Sequence, residues 1–404
     1  MSYYLSPANF KGAYRGVPSK SITQRVLFLS TLLDEFVVYN PLWANDIKET
    51  ITVLTKLGFE VTGKEDAFFI KKQRKIESAE ISLLGSATTL RFVIPFAFLH
   101  LQKLTINLSE NLQTRFNDIY GDIFQKNDIS YQNKGNKIII SGSLKGGKYQ
   151  IPETVSSQFI SGLLLTLPFL KEDSELILPN KTPSFPYVNL TVELLEELGV
   201  IIEKKENGYL IKGQQKLQKN SFIVENDYSQ AAYFFVLKEL GENIIINNLK
   251  EDSFQGDKEV VKILTAISSA KKGDKPLLVD LYHYPDLAPI LFVYTALSKK
   301  EIIFKGLNNL KHKESNRLQL MITNLRKVGQ RLEYQEESLH FYPSILKGGI
   351  KVETANDHRL IMSLAVLASF LKEGLYFDSL EGVNKSYPNF FSDFTILGGK
   401  ISVT

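Results

Sequence analysis

Three short stretches in the first half of the chain concentrate hydroxyls, and two of them add cations. They are Ser19-Lys20-Ser21 with Arg25, Ser86 to Thr89 with Arg91, and Ser156-Ser157-Gln158. Each precedes an apolar run of helical character, so each stands at a helix mouth. Free backbone N–H groups and the positive end of the helix dipole make such a mouth an anion site. Serine and threonine add donors there. Ser21 and Arg25 are four residues apart and share a helix face, with Lys20 placed to meet a phosphate. One terminus contributes only about 0.3–1 kcal/mol when exposed. Several must converge to hold a multiply charged ligand.

The second half carries acids and cations instead. Three further apolar runs start at Asp227, Asp286 and Asp357. Aspartate at a helix start is most often a simple cap, so each of these has a structural reading beside a chemical one. The stretch Lys311 to Arg317 opens a helix that runs to Gly329, which puts Lys313 and Arg317 on one face with Glu314 adjacent. Two cations beside one carboxylate suggest an anionic ligand between them. His358-Arg359 stands at another helix mouth, and Lys385 precedes Ser386-Tyr387-Pro388.

These residues are placed by a repeat. Six apolar segments begin near Ser21, Thr88, Ser156, Asp227, Asp286 and Asp357, at steps of about 59 to 71 residues. A second landmark keeps the step: polar helices end at Leu57-Gly58, Leu198-Gly199, Val328-Gly329 and Leu397-Gly398. Glycine just past a helix end supplies its left-handed stop. Alternating strands follow, as in Phe59-Glu60-Val61. The copies near Asn127 and Ser269 lack the glycine. Each unit reads as an apolar helix, a polar helix and several strands, and six copies split into two sets of three.

Composition sets limits. A chain of 404 residues with 44% hydrophobic and 23% charged residues is long enough for two globular domains. A net charge of +4 gives no reason to expect a nucleic-acid partner. With no cysteine there is no disulfide, thiolate metal site or cysteine nucleophile. The five histidines never pair at a metal-ligand spacing. No leader or membrane span is visible, so a cytoplasmic protein is expected, and nothing signals an interface, so a monomer is.

The whole chain resembles the 5-enolpyruvylshikimate-3-phosphate synthases. The likeness runs through Ser19 to Arg25, Gly85 to Arg91, Arg115, Ser156 to Gln158, Ser184 to Tyr187, Tyr284 to Asp286, Lys313 to Arg317, Asn356 to Arg359 and Lys385, with order and spacing kept. The resemblance implies a two-domain inverse α/β barrel with three βαβαββ repeats per domain. Residues 1–16 plus 226–404 would form one lobe and 17–225 the other, with a cleft that closes on shikimate 3-phosphate. By matching positions, Lys20, Ser21, Arg25, Ser156, Ser157, Gln158, Ser184, Tyr187, Asp286, Asn309 and Lys313 would hold shikimate 3-phosphate. Lys20, Ala87, Arg115, Gln158, Arg317, Arg359 and Lys385 would surround phosphoenolpyruvate. Glu314 would donate the proton to the methylene carbon and Asp286 would take one from the attacking hydroxyl, with Lys20 stabilising the departing charge. No metal or cofactor is required.

Some positions depart from the family pattern. Val17-Pro18 replaces Pro-Gly before the Ser-Lys-Ser, Asn316 replaces an aspartate, and Phe116 replaces a proline. Ala87 stands where glyphosate-sensitive members carry glycine, which predicts weak sensitivity to that inhibitor and a lower affinity for phosphoenolpyruvate. Two rivals share the fold: an enolpyruvyl transferase acting on UDP-N-acetylglucosamine, which usually relies on a loop cysteine, and a catalytically dead binder. An RNA-handling repeat protein would need a basic surface with exposed stacking aromatics, and no such cluster stands out.

Overall fold

Six helices, Lys20–Ser30, Ala87–Phe96, Ser157–Leu164, Tyr228–Glu239, Ala288–Ser298 and His358–Ser369, are buried along nearly their whole length. A helix that is apolar on every side has to sit inside a protein core. The strands follow the opposite rule. Lys103–Leu108 and Lys137–Ser141 bury alternate residues and leave the others toward solvent, as sheets with one wet face do. Helices therefore form the centre and sheets the outer layer.

The computed structural model describes residues 2–64, 66–115, 119–125, 129–152, 156–271 and 275–404. The chain forms two compact units, Met1–Val17 with Asn226–Thr404, and Pro18–Glu225. Three of the six apolar helices lie in each. In the second unit, Phe28 meets Phe92 and Phe96 with ring centroids 5.9 and 5.3 Å apart. In the first, Phe292 meets Phe304 of the strand Ile302–Lys305 at 5.0 Å, joining helix to sheet.

The unit Pro18–Glu225 carries three four-stranded sheets of one topology. In one of them Ser78–Leu83 runs parallel to Lys103–Leu108, which pairs antiparallel with Lys137–Ser141, itself antiparallel to Ser130–Asn133. The parallel step needs a crossover, and the helix Ala87–Phe96 provides it. The other unit has two such sheets, built on Ile302–Lys305 and on Tyr3–Ser6. Its third is reduced, among the described residues, to Lys11–Tyr14 beside Asn243–Ile246. After Asn243–Ile246 the chain forms a 3-10 turn and the helix Val260–Ser269, and among the described residues no further strand extends the pair.

The polar helices stop where glycine allows it. Gly58, Gly199, Gly329 and Gly398 have φ between 91° and 121°. A Cβ at Gly58 would lie 2.4 Å from the Arg74 carbonyl oxygen, so no side chain fits that turn. Near Ser269 the helix ends instead at Ala270 in an extended conformation, without a left-handed residue. The degenerate copy at Asn127 lies outside the described residues. Among the described residues, no helix is long and apolar enough to cross a membrane.

Candidate active site

In the unit Pro18–Glu225, buried polar side chains draw the helix mouths together. Gln24 donates from Nε2 to Ser86 Oγ at 3.1 Å and to Thr89 Oγ1 at 3.2 Å, fastening Lys20–Ser30 to the start of Ala87–Phe96. Gln158 donates to Thr88 Oγ1 at 2.8 Å and accepts from Arg91, which joins Ala87–Phe96 to Ser157–Leu164. Arg25 completes the set. Its Nε donates to Thr191 Oγ1 at 2.8 Å, and its terminal nitrogens donate to the Ser21 carbonyl at 2.9 Å, Ser161 Oγ at 3.1 Å and the Tyr187 carbonyl at 3.2 Å. The helix Pro186–Glu197 is thereby tied in as well.

Arg25 is buried, and among the described residues it pairs with no carboxylate. Burial lowers its pKa to about 10, which leaves it protonated at neutral pH. A buried cation held only by hydroxyls and carbonyls is electrostatically incomplete and favours an anion nearby. Ser21 and Tyr187 are half-buried beside it. Lys20 Nζ lies 3.0 Å from Asp46 Oδ2. Ser184 adopts a left-handed backbone (φ 56°) although it is not glycine, a conformation that costs of order 1 kcal/mol and clusters at functional sites. Ser156 caps its helix by accepting from the Gln158 amide, and Ser157 is buried next to it.

Ala87 is the first residue of its helix and is buried. The loop before it is organised by Glu49, whose carboxylate accepts from the amides of Leu84, Gly85 and Ser86, the last at 2.8 Å. Those N–H groups form a small anion nest that the protein fills with its own acid. Arg115 closes the short helix Glu110–Arg115; its side chain, like Phe116, lies outside the described residues.

The unit containing Asn226–Thr404 holds a different chemistry at the corresponding helix ends. Asp227 and Asp357 are caps, accepting from the Gln230 and Arg359 amides. Asp286 is not: the cap position of Ala288–Ser298 is Leu287. The Asp286 carboxylate is instead surrounded by cations, with Arg317 at 2.9 Å, Lys313 at 3.4 Å and Arg359 at 3.6 Å. Burial by itself would raise its pKa. Lys313, Arg359 and Arg317 outweigh that and hold it well below the usual carboxylate range.

Arg317 is the hub of this cluster. It is buried and meets three carboxylates: Asp357 at 2.8 Å, Asp286 at 2.9 Å and Glu314 at 2.5 Å. Burial opposes its charge, but Asp357, Glu314 and Asp286 more than restore it and raise its pKa. Two expectations are corrected here. Lys313 does not share a helix face with Arg317, because the helix begins at Arg317 and Lys313 lies in extended backbone after the turn Asn308–His312. The two cations meet because both reach Asp286. The single carboxylate expected beside them is in fact three. Asn316 caps the helix by accepting from the Gln319 amide at 3.1 Å. Asn309 and Lys385 are half-buried on separate 3-10 turns.

The structure thus brings Asp286, Lys313, Glu314, Arg317 and Arg359 into one cluster, and gathers Ser21, Arg25, Ser157, Gln158 and Tyr187 around shared helix mouths. Sequence reasoning missed Asp257 and Ser229, which support Arg359, and Glu49. Among the described residues no group of acids and histidines could hold a metal ion.

A sequence model of the EPSP synthase (3-phosphoshikimate 1-carboxyvinyltransferase) family matches residues 6–394. A 3-phosphoshikimate 1-carboxyvinyltransferase of Clostridium perfringens is 34% identical over 421 residues and covers 98% of either chain. One from Clostridium acetobutylicum is 35% identical and covers 98% of this chain and 97% of its own. The EPSP synthase of Acinetobacter baumannii superposes over the full length of both chains with a TM-score of 0.81 at 19% identity. The enolpyruvyl transferase NikO of Streptomyces tendae gives 0.76 at 13% identity, over 100% of this chain and 98% of its own. At those identities the structures establish the shared fold. With the family match spanning nearly the whole chain, this protein belongs to the EPSP synthase family.

Proposed function

We infer that this protein transfers the enolpyruvyl group of phosphoenolpyruvate to the 5-hydroxyl of shikimate 3-phosphate, giving 5-enolpyruvylshikimate 3-phosphate and phosphate on the route to chorismate and the aromatic amino acids. Family membership gives the reaction its name. The observation that carries the assignment to residues is Asp286, a carboxylate at a helix mouth that caps nothing and faces three cations.

The two units suit different tasks. Hydroxyls and the buried cation Arg25 suit a phosphorylated polyol. Lys20, Ser21, Arg25, Ser156, Ser157, Gln158, Ser184, Tyr187, Asp286, Asn309 and Lys313 are assigned to shikimate 3-phosphate. Phosphoenolpyruvate falls to Arg317, Arg359 and Lys385, with Lys20, Ala87, Arg115 and Gln158. The reading also takes the enzyme to be a cytoplasmic monomer.

Protonation of the methylene carbon by Glu314 makes C2 electrophilic. The 5-hydroxyl oxygen then bonds to C2 and its proton passes to Asp286. Loss of phosphate from the tetrahedral adduct, with return of a methyl proton to a carboxylate, restores the vinyl group. Lys20 and the arginines stabilise the leaving charge. Asp286 is a weak base while Lys313, Arg359 and Arg317 hold it low. An incoming phosphate and carboxylate compete for those cations and return basicity to Asp286 when substrate is present. Phosphate release should require both substrates and fall in Glu314→Gln and Asp286→Asn. Release from phosphoenolpyruvate alone, or full activity in both variants, would overturn the reading.

A further inference from the structure

The turn Gly256–Glu259 carries a buried acid that the mechanism above does not use. Asp257 is 3% exposed, and its carboxyl accepts a hydrogen bond from the Ser229 hydroxyl. The Ser229 oxygen in turn accepts from a terminal nitrogen of Arg359 at 2.6 Å, and the Ser229 carbonyl accepts from the other at 2.9 Å. Arg359 then reaches Asp286 at 3.6 Å. The turn is itself held in place. Gln255 accepts from the Tyr228 amide at 3.1 Å and donates to the Asn226 carbonyl at 2.7 Å, so the turn rides on the start of the helix Tyr228–Glu239.

A hydroxyl can turn its hydrogen toward either neighbour. A carboxylate on one side of Ser229 takes that hydrogen, which leaves the oxygen lone pairs for the guanidinium on the other. We propose that Asp257 is a positioning residue for phosphoenolpyruvate binding: through Ser229 it fixes Arg359 in the orientation that receives the substrate anion. This rests on the assignment of Arg359 to phosphoenolpyruvate.

The neighbourhood makes the device sensitive to pH. The Asp257 carboxyl is faced by Asp286 before the helix Ala288–Ser298, Asp227 at the cap of Tyr228–Glu239, Arg359 in His358–Ser369, and Tyr284, with Lys258 and Glu259 on its own turn. Burial, then Asp286, raises its pKa to about 6, while Ser229 and Arg359 pull the other way. As pH falls through that value, Asp257 gains a proton and becomes a donor. The Ser229 hydrogen loses its acceptor and competes with the guanidinium. The substitution Asp257→Asn would mimic that neutral state at every pH.

Steady-state kinetics of Asp257→Asn from pH 5 to 8 test this. At pH 8 the KM for phosphoenolpyruvate should rise roughly tenfold, the scale of one charge-assisted hydrogen bond, with the KM for shikimate 3-phosphate little changed. The rise in wild-type KM below about pH 6 should shrink in the variant. Equal increases in both KM values, or an unaltered pH profile, would overturn the proposal. Ser229→Ala should show the same KM selectivity and provides the test if Asp257→Asn does not fold. Arg359→Lys separates the two levels. If it leaves the KM for phosphoenolpyruvate unchanged, the assignment of Arg359 is wrong. If it raises that KM while Asp257→Asn does not, only the positioning role fails.

Discussion

Arg317 Nε lies 2.8 Å from Asp357 Oδ2, and both side chains are buried. Asp357 uses its other oxygen to cap the helix His358–Ser369, so one carboxylate joins the start of that helix to the start of Arg317–Lys327. Lysine carries the charge of arginine but not the fork that satisfies Asp357, Asp286 and Glu314 together. Arg317→Lys should lose about 3–5 kcal/mol of stability, the cost of leaving buried carboxylates without a partner. Urea denaturation measures it, and a loss confined to activity would contradict the structural role.

Asp286→Asn keeps the shape of the side chain and removes its capacity to take a proton. The expected loss in kcat is about 10²- to 10⁴-fold. Because Lys313, Arg359 and Arg317 keep Asp286 ionised far into acid in the free enzyme, an acid limb in wild-type kcat/KM above about pH 5 should not belong to this residue. Comparing log kcat/KM against pH for Asp286→Asn and wild type reads this directly, the variant keeping the limb at reduced amplitude.

Ala87→Gly should increase inhibition by glyphosate and lower the KM for phosphoenolpyruvate. The substitution falls in the first turn of Ala87–Phe96, where a glycine costs at most about 1 kcal/mol of helix stability. Inhibition curves on both proteins decide it, and equal sensitivity refutes the steric account.

His100 donates to or accepts from Thr31 Oγ1 at 3.0 Å and lies against Phe59 and Phe96. Burial, with Lys72 adding, lowers its pKa to about 4. The unfolded chain takes up this proton near pH 6.5 and the folded chain does not. The stability involved is therefore complete above about pH 6.5 and drains away as pH falls toward 4, by about 3 kcal/mol. His100→Phe should flatten that part of the stability profile in thermal melts between about pH 7 and 4.5.

Asp257 predicts a slope of opposite sign. A carboxyl whose folded pKa is raised to about 6 penalises folding above that pH and not below the unfolded value. Asp257→Asn should be more stable than wild type at about pH 8 by about 3 kcal/mol, with most of the difference gone by about pH 4. Greater stability with poorer substrate affinity marks an acid kept for function.

The repeat could be read from the chain because two periodic signals, apolar helix starts and Leu-Gly ends, report the same step, whereas the inside-out layering was implied only by the family resemblance. Local signals did less well on individual side chains. Asp227, Asp286 and Asp357 look alike in sequence, yet two are caps and one is not, since the chain after Tyr284 takes an extra turn before the helix begins. Lys313 and Arg317 were paired by helical spacing that the backbone does not adopt. Asp257, Ser229 and Glu49 gave no signal. Asp257 stands 28 residues from Ser229, Ser229 130 from Arg359, and Glu49 35 to 37 from the amides it holds, and only the packed helix starts bring them together.

Glu49 has a practical consequence for anyone moving parts between relatives. It sits on the helix Asn45–Lys56, within the first repeat, while the amides it occupies open the second. Residues 84–91 consequently do not behave as a self-contained cassette. A graft of that segment would arrive without its counter-ion unless the acid travels with it. Transplants that keep the glutamate should retain the shape of the loop, and those that drop it should leave three amides to solvent or to whatever anion the buffer offers.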